Sequence, residues 1–162
     1  MDKVKKSAFE DDHLYTGHYT GTCVRSCLEK IKLRDYYSDL SSEYLEECPY
    51  DDASVFLHGS CDLFTWKLHK KYGYERYKAV DKNGNLIHSF GKSTYQGKEV
   101  YIDVRGATTN FDRFFSEFKT SSCEEVHFCK DMEIPCNGHE YYDIGLRFAQ
   151  DIIRNYSTYY EL

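Results

Sequence analysis

Proline and methionine occur twice each in these 162 residues, tryptophan once, and glutamine only as Gln96 and Gln150. So little proline excludes a proline-rich linker or a polyproline recognition segment. No apolar run approaches the length of a membrane span, which is about 20 residues. Residues 1–10 are charged and lack an apolar segment, so a secretory leader is not expected. A Gly-rich phosphate loop, a helical H-E-x-x-H pair and internal repeats are all missing. Positive charge is also short: 21 Lys and Arg face 27 Asp and Glu, for a net charge of −6 and a pI near 5.6. An acidic chain is repelled by a phosphate backbone, so direct nucleic-acid binding is not expected. Seven cysteines is an odd number without regular spacing, which argues against a disulfide framework and for a reducing, cytoplasmic setting.

Aromatic side chains are abundant. Sixteen tyrosines and ten phenylalanines, within a hydrophobic content of 41%, supply a core for one domain spanning 1–162. Residues 1–12 are polar and read as a loose terminus. Helical stripes are expected over 23–33, 61–72, 111–119 and from about 137 to 156. Residues 42–47 read as a short helix capped by Ser41 or Ser42. Strands are expected over 74–80, 86–91, 99–104 and 124–129, with a strong turn at 81–85. This order predicts an α+β fold with a helix packed on an antiparallel sheet. The stretch 50–54 reads as a loop over the functional centre.

The segment 58–106 organises the rest. Cys61, Phe64, Leu68 and Tyr72 fall on one helical stripe, with Ser60 placed to cap it and Gly73 to stop it. Cys61 therefore begins a helix, His88 lies on the second strand of the segment, and Asp103 lies near the end of the third. A helix start favours a thiolate, an imidazole takes the thiol proton, and a carboxylate fixes the imidazole tautomer. Cys61, His88 and Asp103 are the candidate catalytic residues. His58, three residues before Cys61, is the candidate oxyanion donor. Taken singly, Cys61 also reads as a small buried hydrophobe, His88 as a surface residue of an edge strand, and Asp103 as the start of a turn with Arg105 and Gly106.

The pattern of Gly59 and Cys61 at a helix start, His88 on a strand, then Tyr101 and Asp103 at a strand end resembles the transglutaminase-like branch of the papain-like cysteine enzymes. The His88-to-Asp103 spacing is similar too. The Cys61-to-His88 interval is shorter than that branch's, and the papain-type glutamine ahead of the cysteine is missing. The resemblance implies a papain/transglutaminase-like core and a Cys-His-Asp triad for acyl transfer on a protein or peptide substrate, with no cofactor. Protease, amidase, deamidase and transglutaminase chemistry all remain open, because the acceptor is set by the cleft.

Two other readings stand beside this one. A small acidic chain resembles, in size and charge, phage-encoded inhibitors that bind a basic protein surface, sometimes as nucleic-acid mimics. Glu43, Glu46, Glu47 and the Tyr50-Asp51-Asp52 stretch would then form the binding surface. For metal, Cys23 with Cys27 and the set Cys123, Cys129, Cys136 and His139 carry soft ligands, but their spacing matches no known finger. Core packing is the expected role of the first pair, and no metal is expected.

Overall fold

A computed structural model describes residues 28–118, 125–135 and 141–162. It is an α+β fold with helices packed on a five-stranded antiparallel sheet. The strands are β1 (Glu75–Val80), β2 (Leu86–Tyr95), β3 (Lys98–Asp103), β4 (Gly106–Thr108) and β5 (His127–Lys130), in spatial order β4-β3-β2-β1-β5. The helices are α1 (Leu33–Tyr36), α2 (Ser42–Glu47), α3 (Cys61–Tyr72), α4 (Phe111–Phe115), α5 (Tyr142–Asn155) and α6 (Ser157–Tyr160). Short 3-10 turns cover Ala53–Phe56 and Ser116–Phe118.

Local chemistry explains the sheet. Asp81 closes the β1–β2 turn, its Oδ1 accepting from the amides of Asn83 at 2.8 Å and Asn85 at 2.9 Å. The β2–β3 hairpin closes at Tyr95↔Lys98 with Gln96 and Gly97 between, both at positive φ (51° and 79°). Two left-handed residues in a two-residue loop match the twist of the flanking strands. The tight turn lets the ladder continue from Lys92 to Tyr95, so β2 runs beyond the expected end at residue 91. β4 was not expected at all. It exists because the chain reverses between Asp103 and Gly106 and pairs back on β3.

The helix α3 begins and ends where the sequence places it. Gly73 adopts φ 76° and its N–H donates to His69 O at 2.8 Å, a left-handed C-terminal stop. The start differs from expectation. Ser60 occupies the cap position but makes no capping bond; its hydroxyl lies 3.5 Å from Tyr50 Oη instead. The α2 cap is as expected, with Ser41 Oγ accepting from the Tyr44 amide at 3.1 Å. α3 contacts β2 on one side and α5 on the other. Gly145 makes the second approach possible: a methyl there would come within 2.8 Å of Leu63 Cδ1 and 3.0 Å of the Tyr50 ring.

The segment 35–42, expected as a polar connector, begins inside a helical turn, α1, which runs through Tyr36 and buries Leu33. The last helix begins at Tyr142, and the earlier part of its expected span lies outside the described residues. So do the terminus 1–12, the Cys23–Cys27 pair, and Cys123, Cys136 and His139.

Candidate active site

Strand alternation divides the sheet into two unlike faces. His88 and Phe90 lie on the face covered by α4 and the following turn: the Phe118 ring stacks on His88 at 4.1 Å, and Phe114 meets Phe90 at 5.3 Å. Ser89 and Gly91 face α3. The small Gly91 brings Tyr74 Cβ and Ile102 within ordinary contact of where its own Cβ would stand.

Cys61 reaches β2 from the α3 side. Its Sγ accepts a hydrogen bond from the Ser89 amide at 3.3 Å. The last β2–β3 rung is Gly91↔Ile102, so beyond it the Ser89 amide has no strand partner on that side and the sulfur fills the gap. The thiol therefore sits at the peptide unit joining His88 to Ser89.

On the other face, His88 Nε2 lies 2.9 Å from Asp103 Oδ2. Asp103 also accepts from the Arg105 amide at 2.9 Å, from Arg105 Nε at 3.1 Å to either oxygen, and from Arg105 Nη2 at 2.6 Å. Burial by itself raises a carboxyl's pKa. Here the Arg105 guanidinium, with the His88 and Arg105 hydrogen bonds, outweighs it and holds Asp103 well below the usual carboxylate range. An ionised carboxylate only accepts, so Nε2 of His88 carries the proton. The other ring nitrogen, Nδ1, is then a lone-pair acceptor. It is buried and has no hydrogen-bond partner among the described residues. Burial pushes the His88 pKa below its ordinary value against the pull of Asp103, with Arg105 and His58 adding to the lowering, so the imidazole is neutral at pH 7.

The thiol differs from the sequence expectation. A helix start lowers a thiol's pKa, but burial in apolar surroundings raises it and can outweigh that effect. Cys61 is 4% exposed, His88 0% and Asp103 2%. Burial pushes Cys61 up to about 12 from 9.0; the Ser89 amide opposes this weakly, and Asp62 and Asp103 reinforce it. This conformation holds a neutral thiol and a neutral imidazole, with no hydrogen bond between Sγ and Nδ1.

His58, the expected oxyanion donor, is exposed, and its ring meets the edge of Phe118 at 5.8 Å. It stands at the rim of the aromatic cover over His88. Arg105, which sequence reading treated only as part of a turn, is the main partner of Asp103. Its one sequence signal was its position two residues after the acid, where a tight turn folds it back. Glu43, Glu46 and Glu47 lie exposed on and around the outer surface of α2. Among the described residues, no three His, Cys, Asp or Glu side chains converge to hold a metal, and no helix is long and apolar enough to cross a membrane. Of the four soft ligands weighed in the sequence, only Cys129 is described, exposed on β5.

No family model, no curated protein and no solved structure matches the chain.

Proposed function

We propose that the chain is a cysteine-dependent acyl-transfer enzyme acting on a protein or peptide substrate, with Cys61 as nucleophile, His88 as base and then acid, and Asp103 as the group that orients His88. The observation that supports this most is the division of labour on the imidazole. Nε2 is committed to Asp103 at 2.9 Å, and Nδ1 has no partner among the described residues, one residue along the strand from the Ser89 amide that binds the Cys61 sulfur. A buried acceptor nitrogen without a bond has a cost, and it persists where it has another use.

The chemistry follows from these protonation states. His88 Nδ1 removes the Cys61 proton as the sulfur attacks the substrate carbonyl, and the imidazolium formed is stabilised by Asp103. Collapse forms the thioester and breaks the bond to the leaving group, which takes its proton from Nδ1. Water or an amine then attacks the thioester with the same nitrogen as base. Because burial disfavours a thiolate at rest, proton transfer to His88 accompanies attack. Substrate binding must open the Phe118 cover over His88 and bring the imidazole to the sulfur, since Sγ and Nδ1 share no hydrogen bond at rest.

A peptide mixture incubated with a fluorescent primary amine tests this, reading both amine incorporation and released ammonia or new amino termini. Turnover is expected in the wild type and in neither Cys61→Ala nor His88→Ala, with both variants still folded. Turnover surviving in Cys61→Ala would overturn the reading, as would a wild-type Cys61 whose alkylation is indifferent to His88→Ala.

A further inference from the structure

Arg105 is 1% exposed and is the largest of the fully buried side chains among the described residues. Burying a guanidinium away from water is costly unless its donors are satisfied. Two of its partners are within the described residues. Nε and Nη2 bracket the Asp103 carboxylate, and Nη2 also donates to Phe114 O at 2.9 Å. The plane of the group lies over the Phe114 ring at 4.8 Å and the Phe118 ring at 5.4 Å. Phe118 in turn stacks on His88. Arg105 therefore touches the acid of the site, and it touches the ring that covers the base.

A buried carboxylate beside a histidine alone has two ways to lower its energy: take a proton itself, or draw one onto the imidazole. Either would spoil a base that must be neutral at rest and correctly tautomeric. A bidentate arginine removes both options. It supplies the opposite charge, so the carboxylate stays ionised without charging His88. Its planar fork also fixes the carboxylate's rotation, so that Oδ2 is presented to Nε2. The tight reversal between Asp103 and Gly106, where Gly106 takes φ 115°, brings Arg105 back onto the acid.

We infer that Arg105 is a positioning residue for the proposed acyl transfer, acting through the fork it makes on Asp103 to hold His88 as an Nε2-protonated base. This rests on the proposed function, and it extends the working group from three residues to four.

The test is the rate of Cys61 alkylation by iodoacetamide against pH, read by peptide mass mapping on the full chain. Wild type, Arg105→Gln, Arg105→Lys and His88→Ala are compared, with folding checked by circular dichroism. A merely structural arginine predicts that its loss loosens the site and speeds alkylation of a buried thiol. A positioning arginine predicts the reverse. In Arg105→Gln, Cys61 should react at least tenfold more slowly at pH 7, and the pH inflection due to His88 should move. Arg105→Lys keeps the charge and loses the fork, so it should be slowed several-fold; it decides the matter if the glutamine variant fails to fold. Rates within twofold of wild type, or faster, in a folded variant overturn the inference. If His88→Ala itself changes neither rate nor profile, the acyl-transfer reading fails first; if His88→Ala slows Cys61 and the arginine variants do not, only the role of Arg105 fails.

Discussion

The two faces of the sheet are built on different physics. On the α3 face, the helix lies against β2 and is packed again by α5 through Gly145. Fit is what counts there. On the α4 face, one imidazole, one carboxylate and one guanidinium are sealed under Phe114 and Phe118. There, mutual satisfaction of charge is what counts, and removing one member harms the others. Cys61 is the one proposed catalytic group that comes from the first face, its sulfur held at the Ser89 amide beyond the last β2–β3 rung. The difference teaches where tolerance should lie: the packed face should accept substitutions that conserve volume, and the charged face should accept almost none.

The largest expected effect comes from breaking the charged face. Arg105→Leu leaves the Asp103 carboxylate buried without its main partner, and a cost of about 3–5 kcal/mol is expected in denaturant unfolding. A loss under about 1 kcal/mol would mean that the two faces do not differ as described. Next comes the aromatic cover. Phe118→Ala removes a buried ring from above His88, with an expected loss of about 3 kcal/mol. It should also move the His88 pKa back up toward its ordinary value, because the ring stacked on the imidazole is gone while the Asp103 contact is kept. An unchanged low-pH limb of the stability profile would show that Phe118 does not shield His88.

The packed face is tested by Gly145→Ala. The added methyl collides with Leu63 and Tyr50, an overpacking cost of about 1–3 kcal/mol. Helix propensity gives back about 0.5–1 kcal/mol. A net destabilisation of about 1–2 kcal/mol is expected by these two terms, and a stabilised variant would show that α5 shifts freely on α3.

The pH dependence is smaller and signed by burial. His88 has a lowered folded pKa, so the unfolded chain binds its proton more readily. Stability should be retained above about pH 6.5 and fall as pH drops through that value. Asp103 is also lowered, and its contribution is lost further down, below about pH 4. Cys61 is raised to about 12, so the unfolded chain loses the thiol proton first and stability falls as pH climbs above about 9. Unfolding midpoints across pH for the wild type and His88→Gln check this; the limb near pH 6.5 should vanish in the variant. The smallest effect is on the outer surface. Charge reversal at Glu43, Glu46 and Glu47 should change stability by no more than about 0.5 kcal/mol each. If it abolished function while Cys61→Ala did not, the protein would work as an acidic binder.

Much of this architecture was legible in the chain. The apolar stripe from Cys61 to Tyr72 ended by Gly73, the Asp81-to-Asn85 turn, and the Phe stripe after residue 110 are signals carried by near neighbours in sequence. The order of Cys61, His88 and Asp103 was legible for the same reason, since each residue's element could be read locally. Other features were not. Residues 106–108 are too short to show a strand period, and they become β4 only because β3 offers an edge. Tyr160 gave no sign of its role, yet its hydroxyl donates to Val104 O at 2.7 Å and its carbonyl accepts from Tyr74 Oη at 2.7 Å. Ser60 looked like a helix cap, and Tyr50, ten residues earlier, draws its hydroxyl away.

Near-neighbour signals in the chain place the groups and the elements they ride on: a thiol at a helix start, an imidazole in a strand, a carboxylate at a strand end. Periodicity and turn chemistry act over a few residues, and they suffice for that. The protonation states, by contrast, follow from packing in three dimensions. The same helix start that lowers an exposed thiol's pKa holds a neutral one once the site is sealed. Asp103 is ionised because Arg105 folds back onto it, and His88 is neutral because it is buried among Phe90, Phe114 and Phe118. Desolvation and buried charge pairing depend on what lies within a few ångströms in space, and a linear chain does not specify that until it has folded.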